Sequence, residues 1–180
     1  KNMDSKTKGM VMAGMMAGAL LLAILSVFGG SWLSVDDTGD ADVSYTLGGM
    51  EMSEDGVSME IDYAEVCDET DDDDMCSAAT AGTVGTLGLW LAILCAALAL
   101  AMMVLPMAGI DALDALPDIA SKILPWAAGG LMILTSLLWL ILMPEFGDDM
   151  STGMTFFMAI IAGVLGLAAP AMDMFVAADE

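Results

Sequence analysis

At 180 residues the chain is one domain by length, but 58% hydrophobic residues and a mean hydropathy of +0.76 exclude an ordinary soluble domain. Four lysines against 26 acids, a formal net charge of −22, exclude nucleic acid and anionic ligands as partners. With no histidine and no arginine, the usual proton shuttle and the usual bidentate phosphate clamp are missing as well.

Four stretches are long and apolar enough to span a bilayer core of about 30 Å, which takes about 20 residues of helix. They are Gly9–Leu33, Ala78–Leu105, Ile123–Met143 and Thr152–Met172, and none contains an Asp, Glu, Lys or Arg. In hydrocarbon only helices and closed barrels satisfy their own backbone, so runs this long and continuous predict four transmembrane helices. The first, with Lys1, Lys6 and Lys8 ahead of it, loosely resembles a signal peptide. Its apolar run is too long for one and Gly29-Gly30-Ser31 is a poor cleavage signal, so it is expected to be a retained span. The lack of an initiator Met implies that a residue or short tail precedes Lys1.

Glycines punctuate the first two spans. Gly14 and Gly18 form a GxxxG, and Gly82, Gly85 and Gly88 recur every three residues. Small residues let helix backbones approach closely, and packing within the chain is the expected use. All four lysines (Lys1, Lys6, Lys8, Lys122) lie in the N-terminal tail or the 106–122 connection, and none lies in 34–77 or 144–151. Positive-inside logic then places both termini and the 106–122 connection in the cytoplasm of a plasma-membrane protein, and the other two connections outside. Those outer connections hold 19 of the 26 acids. The surface they make attracts cations; solvation in a saline habitat is the plainer explanation of it.

The first outer connection, 34–77, has its own pattern. Val43, Tyr45 and Leu47 alternate with polar residues, Gly48-Gly49 interrupts, and Met50 and Met52 follow. Val57, Met59, Ile61 and Tyr63 alternate with Ser58, Glu60 and Asp62, which predicts a strand with a buried apolar face and a wet acidic one. Ser53–Gly56 (SEDG) joins the runs as a hairpin turn. A lone hairpin is marginal in water, so a staple is needed. Cys67 and Cys76, the two cysteines outside the spans, are expected to pair in that oxidising compartment. Cys95, inside the second span, is read as a small apolar residue. Between the paired cysteines, Asp68, Glu69, Asp71, Asp72, Asp73 and Asp74 could associate weakly with Ca²⁺ or Na⁺. No EF-hand frame fits: counting from Asp68, Asp73 falls where glycine is required. A solvated acidic face is the alternative, and no other cofactor is implied.

In 106–122, Asp111, Asp114 and Asp118 share one helical face while Ile110, Leu113 and Ile119 fall mainly opposite. A short surface helix and a plain connector broken at Pro117 both satisfy this pattern. Met150, Met154 and Met158 are spaced i, i+4, i+8 near the fourth span. Such a stripe suits either packing or soft-metal transport, and no His or Cys reinforces the second. No catalytic constellation exists: the hydroxyls of the spans lack an activating base, and no ionisable group lies at membrane depth.

Four spans, a long first outer loop opened by Trp32, a Cys67-x8-Cys76 pair near that loop's end and a short cysteine-free second outer loop resemble the claudin-like four-transmembrane (tetraspan) superfamily. That family includes peripheral myelin protein and calcium-channel gamma subunits. Trp32, Cys67 and Cys76 match its first-loop signature; Ala64 stands in place of its second Trp, and no Arg follows Cys76. The resemblance implies an all-α membrane protein, a four-helix bundle crowned by a small antiparallel β-sheet. It implies a non-enzymatic scaffold or adhesion protein, or an accessory subunit, acting on other membrane proteins or further copies of itself within the lipid bilayer. A cation-conducting or cation-concentrating protein using the acidic loop is the alternative.

Overall fold

The computed structural model describes residues 3–35, 41–54, 57–110, 118–144, 150–175 and 178–179. In chain order these form β1 (Met3–Asp4), α1 (Ser5–Phe28), β2 (Leu33–Val35), β3 (Ala41–Tyr45), β4 (Gly49–Glu54), β5 (Val57–Asp62) and α2 (Tyr63–Thr70). Then follow α3 (Asp73–Val104), a 3₁₀ turn at Pro106–Ala108, α4 (Asp118–Leu142), β6 (Met150–Thr152), α5 (Met154–Phe175) and β7 (Ala178–Asp179). Four of the five helices, α1, α3, α4 and α5, are long and apolar enough to cross a membrane.

These four close into a ring in which α1 packs on α3 and α5, and α4 packs on the same two. The composition of the ring inverts that of a soluble bundle. Its centre is small (Ala19, Ala23, Ala92, Ala96, Ala162 and Ala169 are buried), while Leu21, Leu94, Ile141 and Ile161 point outward and are more than half exposed. Water would oppose this arrangement and hydrocarbon does not, since lipid tails are as apolar as leucine. Close backbone approach follows from the small centre. A Cβ at Gly129 would lie 2.5 Å from the Leu167 nitrogen, and one at Gly166 would lie 2.9 Å from the Gly129 Cα, which marks the α4–α5 crossing. Pro125 and Pro170 sit inside α4 and α5, where neighbouring helices can cover the backbone groups they free.

The short strands β1 and β7 meet at one end of the ring. They pair in parallel, Met3 opposite Ala178, and the buried Lys8 ammonium contacts the Asp173 carboxylate at 3.1 Å and donates to the Asp173 carbonyl at 3.2 Å. At the other end stands a five-stranded antiparallel sheet of order β5-β4-β3-β2-β6. The expected hairpin is therefore only part of the sheet. Gly48-Gly49 does not interrupt one strand but ends a turn between two: the Thr46 amide donates to the Gly49 carbonyl at 2.8 Å, and the Gly49 amide donates to Thr46 Oγ1 at 3.0 Å. β4 and β5 are joined at Asp55-Gly56, which lie outside the described residues, with Glu54 opposite Val57.

The sheet's burial departs from the alternation. Val43, Tyr45 and Leu47 are buried against the helices, as their spacing predicts, and Tyr63 is too. Val57 and Met59 are not: they are 71% and 62% exposed. The reason is position. β2 and β3 lie over the helix ends, whereas β5 is the strand furthest from β6, and the bundle does not reach its apolar face.

Element bounds differ from the hydropathy spans at several ends, and at the start of α3 the Asp72 side chain caps the helix ahead of the apolar run. α1 ends at Phe28, so Trp32 and Leu33 belong to the sheet end. α3 starts at Asp73 and takes Cys76 into its first turns, and α4 starts at Asp118. Thr152 lies in β6, ahead of α5. The methionine stripe consequently breaks, because Met150 is in a strand, Met154 opens α5 and Met158 follows within it. Of the 106–122 connection, the described parts are a 3₁₀ turn ending at Gly109, whose φ of 74° is left-handed, and the start of α4 with Asp118 and the exposed Ile119; Asp111, Leu113, Asp114 and Pro117 lie outside the described residues.

Candidate functional site

The structure gathers Trp32, Cys67, Cys76, the acids between them and Gly82, Gly85 and Gly88 in three layers towards the sheet end of the bundle. The first is a junction around Trp32, a fully buried residue between α1 and β2. Its indole Nε1–H donates to the Ser26 carbonyl at 3.0 Å, satisfying one of the acceptors left open as α1 ends. Its amide donates to the Tyr45 carbonyl at 2.7 Å, and its carbonyl accepts from the Gly153 amide at 2.8 Å. The ring packs edge-on against Trp139 of α4 at 5.0 Å and Phe156 of α5 at 6.0 Å. One residue thereby ties α1, α4 and α5, through its side chain, to the sheet, through its backbone.

The second layer is the seat of the sheet on α3. A Cβ at Gly82 would lie 2.1 Å from the Leu47 carbonyl oxygen, one at Gly85 would meet Trp139 at 2.8 Å and Leu47 at 2.9 Å, and one at Gly88 would meet Thr135 Oγ1 at 2.4 Å. The three-residue glycine repeat is thus a track on which the β3–β4 turn and α4 both rest. The GxxxG of α1 is not of this kind. A Cβ at Gly14 would meet nothing within 4 Å, and one at Gly18 would make only ordinary contact with Leu165 at 3.8 Å. Within α4 and α5, Gly129, Gly163 and Gly166 also make close approaches, outside any GxxxG. The signal for Gly163 and Gly166 is their three-residue spacing, the same as in α3; Gly129 carries no such signal.

The third layer is the cysteine loop. Cys67 of α2 and Cys76 of α3 form a disulfide, with Cα atoms 4.8 Å apart. Between them the chain breaks one helix and starts the next within two residues, and the acids do this locally. Asp62 caps α2, its carboxylate accepting from the Ala64 and Glu65 amides at 2.8 and 3.3 Å. Asp71 ends α2 at a left-handed φ of 53°, its amide donating to the Cys67 carbonyl at 3.0 Å. Asp72 caps α3, accepting from Asp74 and Met75 amides, each at 3.1 Å, and Asp73 and Asp74 occupy the first turn, where the helix dipole favours negative charge. Asp68 and Glu69 remain exposed on α2. Among the described residues no group of three or more His, Cys, Asp or Glu side chains is placed to hold a metal ion.

Two buried polar atoms in these layers have no hydrogen-bond partner among the described residues: the Tyr63 hydroxyl and the Trp139 indole nitrogen. Burial, with the neighbouring Tyr45 adding to it, pushes the Tyr63 phenol far above its usual 10.0, and burial raises Tyr45 less.

The strand β5 forms the outer margin of this assembly. The Tyr63 amide donates to the Gly48 carbonyl at 3.2 Å, continuing the β4–β5 register in which Ile61 faces Met50 and Met59 faces Met52. By the two-residue alternation of antiparallel ladders, the odd-numbered residues of β5 bond inward to β4. The amides and carbonyls of Ser58 and Glu60 therefore face the open side, where no strand pairs with β5 among the described residues.

A scan of the sequence against protein-family models finds no match, and a search of curated proteins finds none either.

Proposed function

We propose that this chain is a non-enzymatic membrane scaffold, similar in plan to the claudin-like four-transmembrane superfamily, that serves as an adhesion protein or accessory subunit by docking another protein on its outer sheet. The observation that carries the reading is the uncovered apolar face of β5. Val57 and Met59 alternate as a buried face would, yet they stand in the open at the rim of a sheet in which Leu33, Val43 and Tyr45 are buried and Met50, Met52 and Ile61 are partly so. Patterned apolar surface of this sort marks an interaction site.

The rest of the arrangement supports it. The Cys67–Cys76 disulfide belongs in an oxidising compartment, and the lysines Lys6, Lys8 and Lys122 lie towards the opposite end of the bundle. The sheet is accordingly outside and both termini are cytoplasmic in the plasma membrane. Trp32, Cys67 and Cys76, the three positions that carry the resemblance, are those that anchor the sheet to the helices and close the loop beneath it. A disulfide-stapled platform standing on a bundle of apolar helices suits a contact surface.

Photo-crosslinking from position 59 in native membranes tests the reading, with position 175 at the terminal end as the control. A discrete protein adduct from 59 and none from 175 is the expected result. A strictly monomeric particle that yields only lipid adducts from 59 overturns it.

A further inference from the structure

The open edge of β5 also carries information about what pairs with it. On its acidic face Glu60 stands directly opposite Glu51 of β4, both exposed. Like charges facing each other across a ladder are unfavourable, and a cation set beside Glu60 on a further strand relieves the repulsion. On the other face a partner strand meets Val57 and Met59, so its alternate residues are apolar. A second copy of this chain does not fit: residues 34–77 hold acids and no base, and Lys6, Lys8 and Lys122 lie towards the opposite end of the bundle.

Resting on the scaffold reading above, we infer that the β5 edge binds an extended segment of a different protein in which lysines alternate with apolar residues, by adding it as a sixth strand to the sheet. Main-chain hydrogen bonds to Ser58 and Glu60 supply the affinity, and the alternation of the side chains supplies the selection.

The full-length protein in nanodiscs, titrated with a fluorescent decapeptide alternating lysine and valine, provides the test by fluorescence anisotropy. Methylating the backbone nitrogens of one alternate set of residues, the set facing β5, is expected to raise Kd at least tenfold, and methylating the other set less than threefold. A peptide with glutamate for lysine is expected not to bind. Glu60→Pro removes an amide that faces the open side and leaves the β4–β5 ladder intact, so it is expected to match the methylated peptide in its loss. An equal Kd for both methylated peptides, or an absence of binding by the parent peptide, overturns the inference, because attraction between charges alone is blind to backbone parity. The methylated pair decides the matter even where Glu60→Pro does not fold. If the parent peptide fails while position 59 still crosslinks to a protein, the edge inference falls and the scaffold reading stands. If the methylation pattern appears while position 59 captures nothing, the reverse holds.

Discussion

The carbonyl oxygen of Leu47 rests so close to Gly82 that a Cβ there would lie 2.1 Å from it. The contact is backbone against backbone, so no side chain can swing away to make room. Gly82→Ala adds helix propensity worth about 1 kcal/mol, yet it must lift the β3–β4 turn off α3. We expect a net loss of about 2 kcal/mol in line with other overpacked contacts. Gly14→Ala, with nothing within 4 Å, should instead be neutral or stabilising by up to about 1 kcal/mol. Thermal unfolding of the two variants in one detergent checks the contrast; equal effects would show that the sheet does not depend on this seat.

The disulfide offers a second prediction. Closing the short loop between Cys67 and Cys76 constrains the unfolded chain by about 2–3 kcal/mol on the chain-entropy account. Cys76→Ser should lose about that much, and so should wild type in a reductant. Cys95→Ala should respond to the reductant as wild type does, since Cys95 is a free cysteine of α3. The loosening should begin in α2 and the adjoining β5, which hydrogen exchange can resolve from the helices.

What the sequence discloses and what it hides divide along a physical line. The four long helices and the Cys67–Cys76 pair were legible because each rests on a local rule, hydropathy over a window or two cysteines in one loop. β6 was not legible: Met150–Thr152 is three residues long, and it is a strand only because β2 is beside it. The exposure of Val57 and Met59 could not be read from alternation either, because alternation tells which residues share a face and not whether anything covers that face. Gly82, Gly85 and Gly88 declared their spacing, but their partners Leu47, Trp139 and Thr135 are fixed only by the fold. The acids of the cysteine loop looked like a ligand set because composition weighs them equally. Backbone geometry separates them into Asp71 and Asp72 at helix ends and Asp68 and Glu69 in solvent.

That separation predicts unequal effects from chemically similar substitutions. Asp72→Ala removes the acceptor for two amides at the start of α3 and should cost about 1 kcal/mol. Asp68→Asn and Glu69→Gln remove exposed charge from a crowded acidic surface and should change stability by less than about 0.5 kcal/mol. A set of thermal melts in low and high salt distinguishes the causes: the cost at Asp72 should persist in high salt, where any effect of charge alone fades.

Tyr63 provides the pH-dependent case. Its hydroxyl is buried without a partner among the described residues, and its phenol is raised far above 10.0. Once unfolded, the phenol ionises near its ordinary 10.0, so above that pH the folded state holds the proton that the unfolded chain releases. Stability contributed by the neutral, buried phenol is therefore fully present below pH 10 and declines as pH rises, by up to about 1.4 kcal/mol per pH unit for this one group. Tyr63→Phe keeps the ring, removes the unpaired hydroxyl and cannot ionise. It should be neutral to about 1 kcal/mol more stable at pH 7, and its advantage over wild type should widen between pH 10 and pH 11. Chemical unfolding of both proteins at pH 7, 10 and 11 measures this. An advantage that stays constant with pH would mean that the Tyr63 phenol ionises as readily in the folded protein as in the unfolded chain, and that its site beneath the sheet is open to water.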